Sequence, residues 1–306
     1  MTAGWVAAAT RARALERRLV GPGGARAIAD SSWVDARTAV QTSFYGAELP
    51  ADASRQATGR SAVEATTWQL RVLAGWLPPG QSDLARLFAA PMEIANIEGH
   101  LARLGRADVA PPFRLGSLDV AWPRVATAGS PEQVRGALAT SVWGDPGATD
   151  RTSIALGLRA AWARRLAHRV PEADPWAKGA VAVLVARERF GFERSISDTT
   201  GRIVDSLLSR HWREASNLSS FRDRLAKSAS WPLSDVREAS DLWRAEIAIA
   251  RRVAADARRQ VRSGRYDKAA VTGGMSLLLV DLWRVRAAIE LAGRAPIPEE
   301  LFRAVA

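Results

Sequence analysis

The chain has 306 residues, 47% of them hydrophobic, enough for a packed core and for one large domain or two or three small ones. Its net charge of +11 is carried almost wholly by arginine, since Lys178, Lys227 and Lys268 are the only lysines. There is no cysteine, which excludes disulfides and thiolate metal sites, and no stretch reaches the roughly 18 uncharged apolar residues of a membrane span.

The run Trp5 to Val20, rich in Ala, Leu and Arg, predicts a first helix that stops at Gly21-Pro22-Gly23-Gly24. A short helix follows within Trp33 to Leu49. Ala53 to Leu77 predicts a long helix with Trp68, Val72 and Trp76 on one face and Leu70, Leu73 and Leu77 on the next, a pattern of burial on two sides. Pro78-Pro79-Gly80 ends it. Ser82 or Asp83 caps a helix running to Leu104, which Pro91 is expected to kink or break. After a Pro/Gly-rich linker, Val109 to Gly116, the spacing predicts a helix from about Asp150 to His168, a turn at Pro171 and Pro175, and an apolar helix from Trp176 to Phe192. Further on, Trp243, Ile247, Ala250 and Ala254 mark a long helix stopped at Ser263-Gly264. Leu278, Leu282, Val285, Ile289 and Ala292 mark a closing helix that ends at Gly293 and Pro296, before a short terminal helix from Pro298. No alternating strand pattern occurs, so the fold class is all-α.

One short pattern recurs. In Trp33 to Leu49, an acidic or amide residue opens a short helix that ends in an aromatic beside a turn residue, Tyr45-Gly46. Pro131 to Pro146 repeats it with Trp143-Gly144, and Asn217 to Leu233 with Trp231-Pro232. A small residue (Ser43, Ser141, Ala229) stands two positions ahead of each aromatic, and a long amphipathic helix, a turn and a closing apolar helix follow. The pattern divides the chain into repeats at 1–110, 111–198 and 199–306. Chance echoes within an Ala/Arg-rich helical sequence are the competing explanation.

No constellation for catalysis is found. His100, His168 and His211 lie far apart in sequence and outside any metal-ligand spacing, and the glycine run at 21–24 lacks the Gly-Lys-Ser/Thr element of a phosphate loop. Most carboxylates stand three or four residues from an arginine, as Asp281 does from Arg284 and Arg286 from Glu290, which suits a solvated helix face. No cofactor or metal is expected. Trp68, Trp76, Trp162, Trp243 and Trp283 sit at apolar helical positions, and a core role is expected of them in preference to base stacking.

Several of these stretches resemble one family. The opening run Trp5 to Leu15 with Leu19-Val20, the element Ser43 to Leu49, Met92-Glu93-Ile94-Ala95-Asn96-Ile97, and Asp281 to Arg286 followed by Ala292-Gly293 are similar, in order and over nearly the whole chain, to the C subunit of V-type and archaeal-type ATPases. The eukaryotic counterpart is the d subunit. The resemblance implies three similar helical bundles around a pseudo-threefold axis, forming a funnel. It further implies a non-catalytic adaptor between the central-shaft subunits and the membrane-embedded proteolipid ring, which passes rotation from ATP turnover to ion transport. Such an adaptor is cytoplasmic and peripheral on the inner face of the membrane, and takes no small-molecule substrate or nucleic acid. The second repeat departs from the family, with Arg187-Glu188-Arg189 and no Asn, and the third has Arg284 in its place. On this basis Glu93, Asn96, Arg187, Glu188, Asp281 and Arg284 are expected to line or border the shared axis as a partner-binding set; the alternative is that they pair within their own blocks.

The N-terminus lacks a basic segment followed by an apolar run, so a soluble cytoplasmic chain is expected. Two other classes fit the composition. A basic helical nucleic-acid binder would mass its arginines on one face and bind with a steep salt dependence. An all-α enzyme would hold convergent polar groups in a deep cleft.

Overall fold

The structure, a computed structural model, describes residues 3–46 and 49–294. Ala47 and Glu48 of the first marker element and the expected terminal helix from Pro298 lie outside the described residues. All regular structure among the described residues is helical, and none of the helices is long and apolar enough to cross a membrane.

In chain order the helices are α1 (Ala3–Glu16), α2 (Gly21–Asp30), α3 (Trp33–Thr42), α4 (Arg55–Trp76), α5 (Ser82–Leu104), α6 (Trp122–Val125), α7 (Pro131–Ala139), α8 (Arg151–Arg169), α9 (Asp174–Ala186), α10 (Asp198–Leu208), α11 (Leu218–Arg224), α12 (Lys227–Ser230), α13 (Leu242–Arg262) and α14 (Lys268–Leu291). Many starts follow from side-chain caps: Ser32, Ser54, Ser130, Asp150, Ser197, Asn217 and Asp267 each accept a hydrogen bond from a first-turn N–H.

Three expectations are corrected. The glycine run at 21–24 begins a helix and does not end one, since α1 already stops at Glu16. Gly21 makes the turn at φ +70°, and Pro22 then occupies the first turn of α2, where its missing N–H costs nothing. Of the kink or break expected at Pro91, the break does not occur: α5 continues from Ser82 to Leu104 with Leu84, Leu87 and Phe88 buried before it and Met92, Ile94 and Ile97 buried after it. Burial on both sides outweighs the one lost backbone bond. Of the five tryptophans assigned to the core, Trp68 and Trp76 are half exposed and Trp243 and Trp283 are only partly covered, while Trp162 is partly buried and packs against a core. The fully covered face of α4 is instead Thr58, Ala62, Val63, Thr66, Thr67, Gln69, Leu70 and Leu73. Trp143, Trp176 and Trp212 are the buried tryptophans among the described residues.

The chain divides into two compact units, Met1–Phe88 with Val253–Ala306, and Ala89–Arg252. They cut across the three sequence blocks, because α14 of the last block packs on α1, α2 and α4 of the first. Within that unit α14 is buried along nearly its whole length. Gly274 lets α1 approach closely: a Cβ there would stand 2.6 Å from the Cβ of Ala12. Arg55 fastens the far end of α14, donating to the carbonyls of Ile289 and Ala292 while stacking on Trp33 at 4.5 Å. The other unit has its own apolar core, in which Ile94 and Ile97 of α5, Ile154 and Leu158 of α8, Val181 and Val185 of α9, Val204 of α10 and Phe221 of α11 meet. Each fully buried Leu, Ile or Phe of these cores contributes roughly 2 kcal/mol relative to exposure.

Candidate functional site

The marker aromatics sit at the ends of α3 and α7, and the local geometry there is the same. The Ser43 hydroxyl donates to the Val40 carbonyl at 2.7 Å and accepts from the Tyr45 N–H at 3.2 Å, and the Gly46 N–H donates to the Ser43 carbonyl at 3.3 Å. The corresponding distances in the second block are 2.7 Å for Ser141 to Leu138, 3.1 Å for Trp143 to Ser141 and 3.2 Å for Gly144 to Ser141. The serine thus stops the helix with its side chain and turns the aromatic inward. Ala229 in the third block has no hydroxyl. There the chain stays helical through α12 and into a 3-10 turn at Trp231–Leu233.

Each inward aromatic meets a buried carboxylate. The Tyr45 hydroxyl donates to Asp281 Oδ2 at 2.8 Å, and the same carboxylate accepts from the N–H groups of Val20 at 2.9 Å and Gly21 at 2.7 Å. Asp281 lies on α14 and is 1% exposed. In the other unit Trp143 Nε1 donates to Glu93 Oε2 at 3.0 Å, and Glu93 Oε1 accepts from the N–H groups of Val120, Ala121 and Trp122 at 2.9, 2.7 and 2.8 Å. Glu93 lies on α5 and is also 1% exposed. Both carboxylates therefore join an aromatic donor to the start of a short helix, α2 or α6, where free N–H groups and the helix dipole favour negative charge.

These clasps perturb their members. Burial pushes the Tyr45 phenol well above its ordinary value, and the adjacent Asp281 charge and hydrogen bond add to the shift. Burial also raises Asp281, against the lowering effects of Tyr45, the Gly21 and Val20 N–H groups and Arg284. Asp119, next to the N–H donors of the second clasp, is raised by burial and then by the Glu93 charge.

The six residues expected to act together are distributed as follows. Glu93 and Asn96 lie one turn apart on α5. Asn96 grips the backbone of Phe113 with both amide atoms, at 2.9 and 2.7 Å, and so fastens the linker that follows α5. Arg187 and Glu188 lie in a π-helical turn, Arg187–Gly191, at the end of α9. Arg187 pairs with Glu246 at 2.6 Å, and buried Glu188 lies 3.5 Å from Arg194. Asp281 and Arg284 lie one turn apart on α14, in the other compact unit. Glu93 and Asp281 bind residues of the block that follows their own, with the third block serving the first. Trp231 obeys the same order by another contact: its Nε1 donates to the carbonyl of Pro175, in the closing helix of the second block, at 3.1 Å.

The backbone donors at 20–21 and 120–122 were not recognised in the sequence, yet they carry a signal. In both clasps a proline follows the last donor, as Gly21-Pro22 and Trp122-Pro123. The segment ahead of the third marker has no such proline in its short 3-10 turn, Arg210–Glu214. Among the described residues no group of three His, Asp or Glu is placed to hold a metal ion. His100 Nε2 lies 2.8 Å from the Ala128 carbonyl, and His211 stands 3.6 Å from Glu214. Neither known protein families nor curated proteins give a match to this chain.

Proposed function

We propose that this chain is a non-catalytic adaptor of a rotary ATPase of the V or archaeal type, seated between the central-shaft subunits and the membrane proteolipid ring. In this reading three helical units are arranged around a pseudo-threefold axis as a funnel. The observation that carries it is the order of the clasps: α14 of the third block serves Tyr45 of the first, α5 of the first serves Trp143 of the second, and α9 of the second serves Trp231 of the third. A handover of this kind suits a closed cycle of three units, and it joins the collinear likeness of 5–20, 43–49, 92–97 and 281–293 to the same adaptor family. Transmission of torque asks for stiffness, and buried carboxylates saturated by three or four donors hold helices in fixed register. Glu93, Asn96, Arg187, Glu188, Asp281 and Arg284 act in this reading chiefly by holding the walls of the funnel, which face the shaft.

The test is affinity purification of the tagged chain from detergent-solubilised membranes of its own host, together with ion pumping in a deletion strain. Co-purification of shaft and proteolipid subunits is expected, with ATP hydrolysis retained and ATP-driven pumping lost in the deletion strain. Unchanged pumping and no rotary-ATPase subunits in the eluate would overturn the reading; recovery of nucleic acid with a steep salt dependence would favour the basic binder instead.

A further inference from the structure

The compact unit formed by Met1–Phe88 and Val253–Ala306 contains a cleft of about 470 Å³ between α1, α13 and α14. Five arginines line it: Arg13 and Arg17 from α1, Arg258 and Arg262 from α13, and Arg284 from α14. Among the described residues only two carboxylates, Glu16 and Asp281, share the lining, and both are already engaged. Glu16 pairs with Arg262 at 2.9 Å, and Asp281 is saturated by Tyr45, Val20 and Gly21.

Arg13 and Arg284 are also held in place. Arg13 donates to the carbonyls of Val261 at 3.0 Å and Arg265 at 2.7 Å, and its guanidinium lies 4.2 Å from the centre of the Tyr266 ring. Arg284 is 4% exposed. Arg17 and Arg258 have no carboxylate within ion-pair distance among the described residues. Guanidinium groups stay charged at any physiological pH, and in a concave, partly apolar cleft their repulsion is poorly screened. An anion lowers that repulsion, and the planar fork of Arg matches the oxygens of a phosphate. The volume lies within the range of small-ligand pockets.

We propose that this cleft binds a doubly charged phosphate group, with Arg17 and Arg258 as its direct ligands and Arg13 and Arg284 as fixed charges behind them. The same chemistry is offered by a free diphosphate or triphosphate and by a phosphomonoester lipid headgroup. The proposal does not rest on the adaptor reading.

Inorganic pyrophosphate, titrated calorimetrically into the full-length protein at low salt, probes the free source. Co-sedimentation with phosphatidylcholine vesicles, with and without phosphatidic acid, probes the headgroup source. Arg17→Gln with Arg258→Gln is compared with Arg114→Gln with Arg151→Gln, which removes the same charge from exposed positions outside the cleft. If the site takes free phosphates, pyrophosphate binds and the cleft pair weakens it about tenfold or more, the scale of two lost charge-assisted hydrogen bonds. If it takes headgroups, sedimentation requires phosphatidic acid and is lost in the cleft pair alone. Should the cleft pair fail to fold, Arg17→Gln at its exposed position carries the same comparison. Binding of neither probe, equal weakening by both pairs, or binding of polyglutamate alone would overturn the proposal.

Discussion

Asp281 and Glu93 are buried charges whose cost is met by hydrogen bonds to the charged form, from a side chain on one side and from helix-starting N–H groups on the other. Glu93→Gln tests how far charge matters. The amide keeps one acceptor oxygen but sets an NH2 group against Trp143 Nε1–H, and thermal or urea unfolding is expected to register a loss of about 1–3 kcal/mol. In a Trp143→Phe background the opposing donor is gone, so the added cost of Glu93→Gln should shrink by about 0.5 kcal/mol or more, read from the double-mutant cycle. Equal costs in both backgrounds would separate Trp143 from the carboxylate. Tyr45 supplies a pH dependence. Its phenol holds its proton in the folded chain above the ordinary value of 10.0, whereas the unfolded phenol ionises there. The stability it contributes is therefore complete below pH 10.0 and declines as pH rises past that value toward the folded-state pKa. Tyr45→Phe, expected to lose about 1 kcal/mol at neutral pH, should show a shallower alkaline decline. An unchanged slope would mean that another group governs it.

At the scale of elements, the clearest dependence is the close approach of α1 and α14. Gly274→Ala places a methyl 2.6 Å from the Cβ of Ala12, so one helix must shift; a loss of about 1–3 kcal/mol is expected in chemical denaturation, partly recovered by Ala12→Gly. Full recovery of wild-type stability without the second change would show that the helices yield freely. Long helices were legible in the sequence to within a few residues, because periodicity and caps agree: Ala53 to Leu77 was expected and α4 spans Arg55–Trp76, and Asp150 proved to be the cap of α8. The tryptophans misled because their spacing on α4 is helical while the buried stripe consists of Thr, Ala and Leu on another face. Periodicity detects a face, not which side of the helix it looks toward. The glycine run at 21–24 misled because Gly and Pro mark a helix start as readily as a stop: α1 has already ended at Glu16, and the run opens α2. Of the six candidate residues, five are buried, which their charged or polar character did not advertise; the donors that satisfy Glu93 and Asp281 come from backbone distant in sequence.

For the whole chain, the repeat read from three aromatic-turn pairs has structural content in two of them, where serine, aromatic and carboxylate recur with matching distances. In the third, Ala229 removes the hydroxyl and Trp231 takes a carbonyl instead. Compactness follows the clasps and not the sequence blocks, since the last long helix completes the first block. That handover from block to block underlies the proposed adaptor role. Hydrogen-exchange mass spectrometry on Asp281→Ala and Glu93→Ala tests it most directly. Asp281→Ala is expected to lose protection at Val20 to Tyr45, from 236 to 261 positions away in sequence, and Glu93→Ala at Val120 to Trp143. Loss confined to the block that carries each substitution, 199–306 for the first and 1–110 for the second, would contradict the handover.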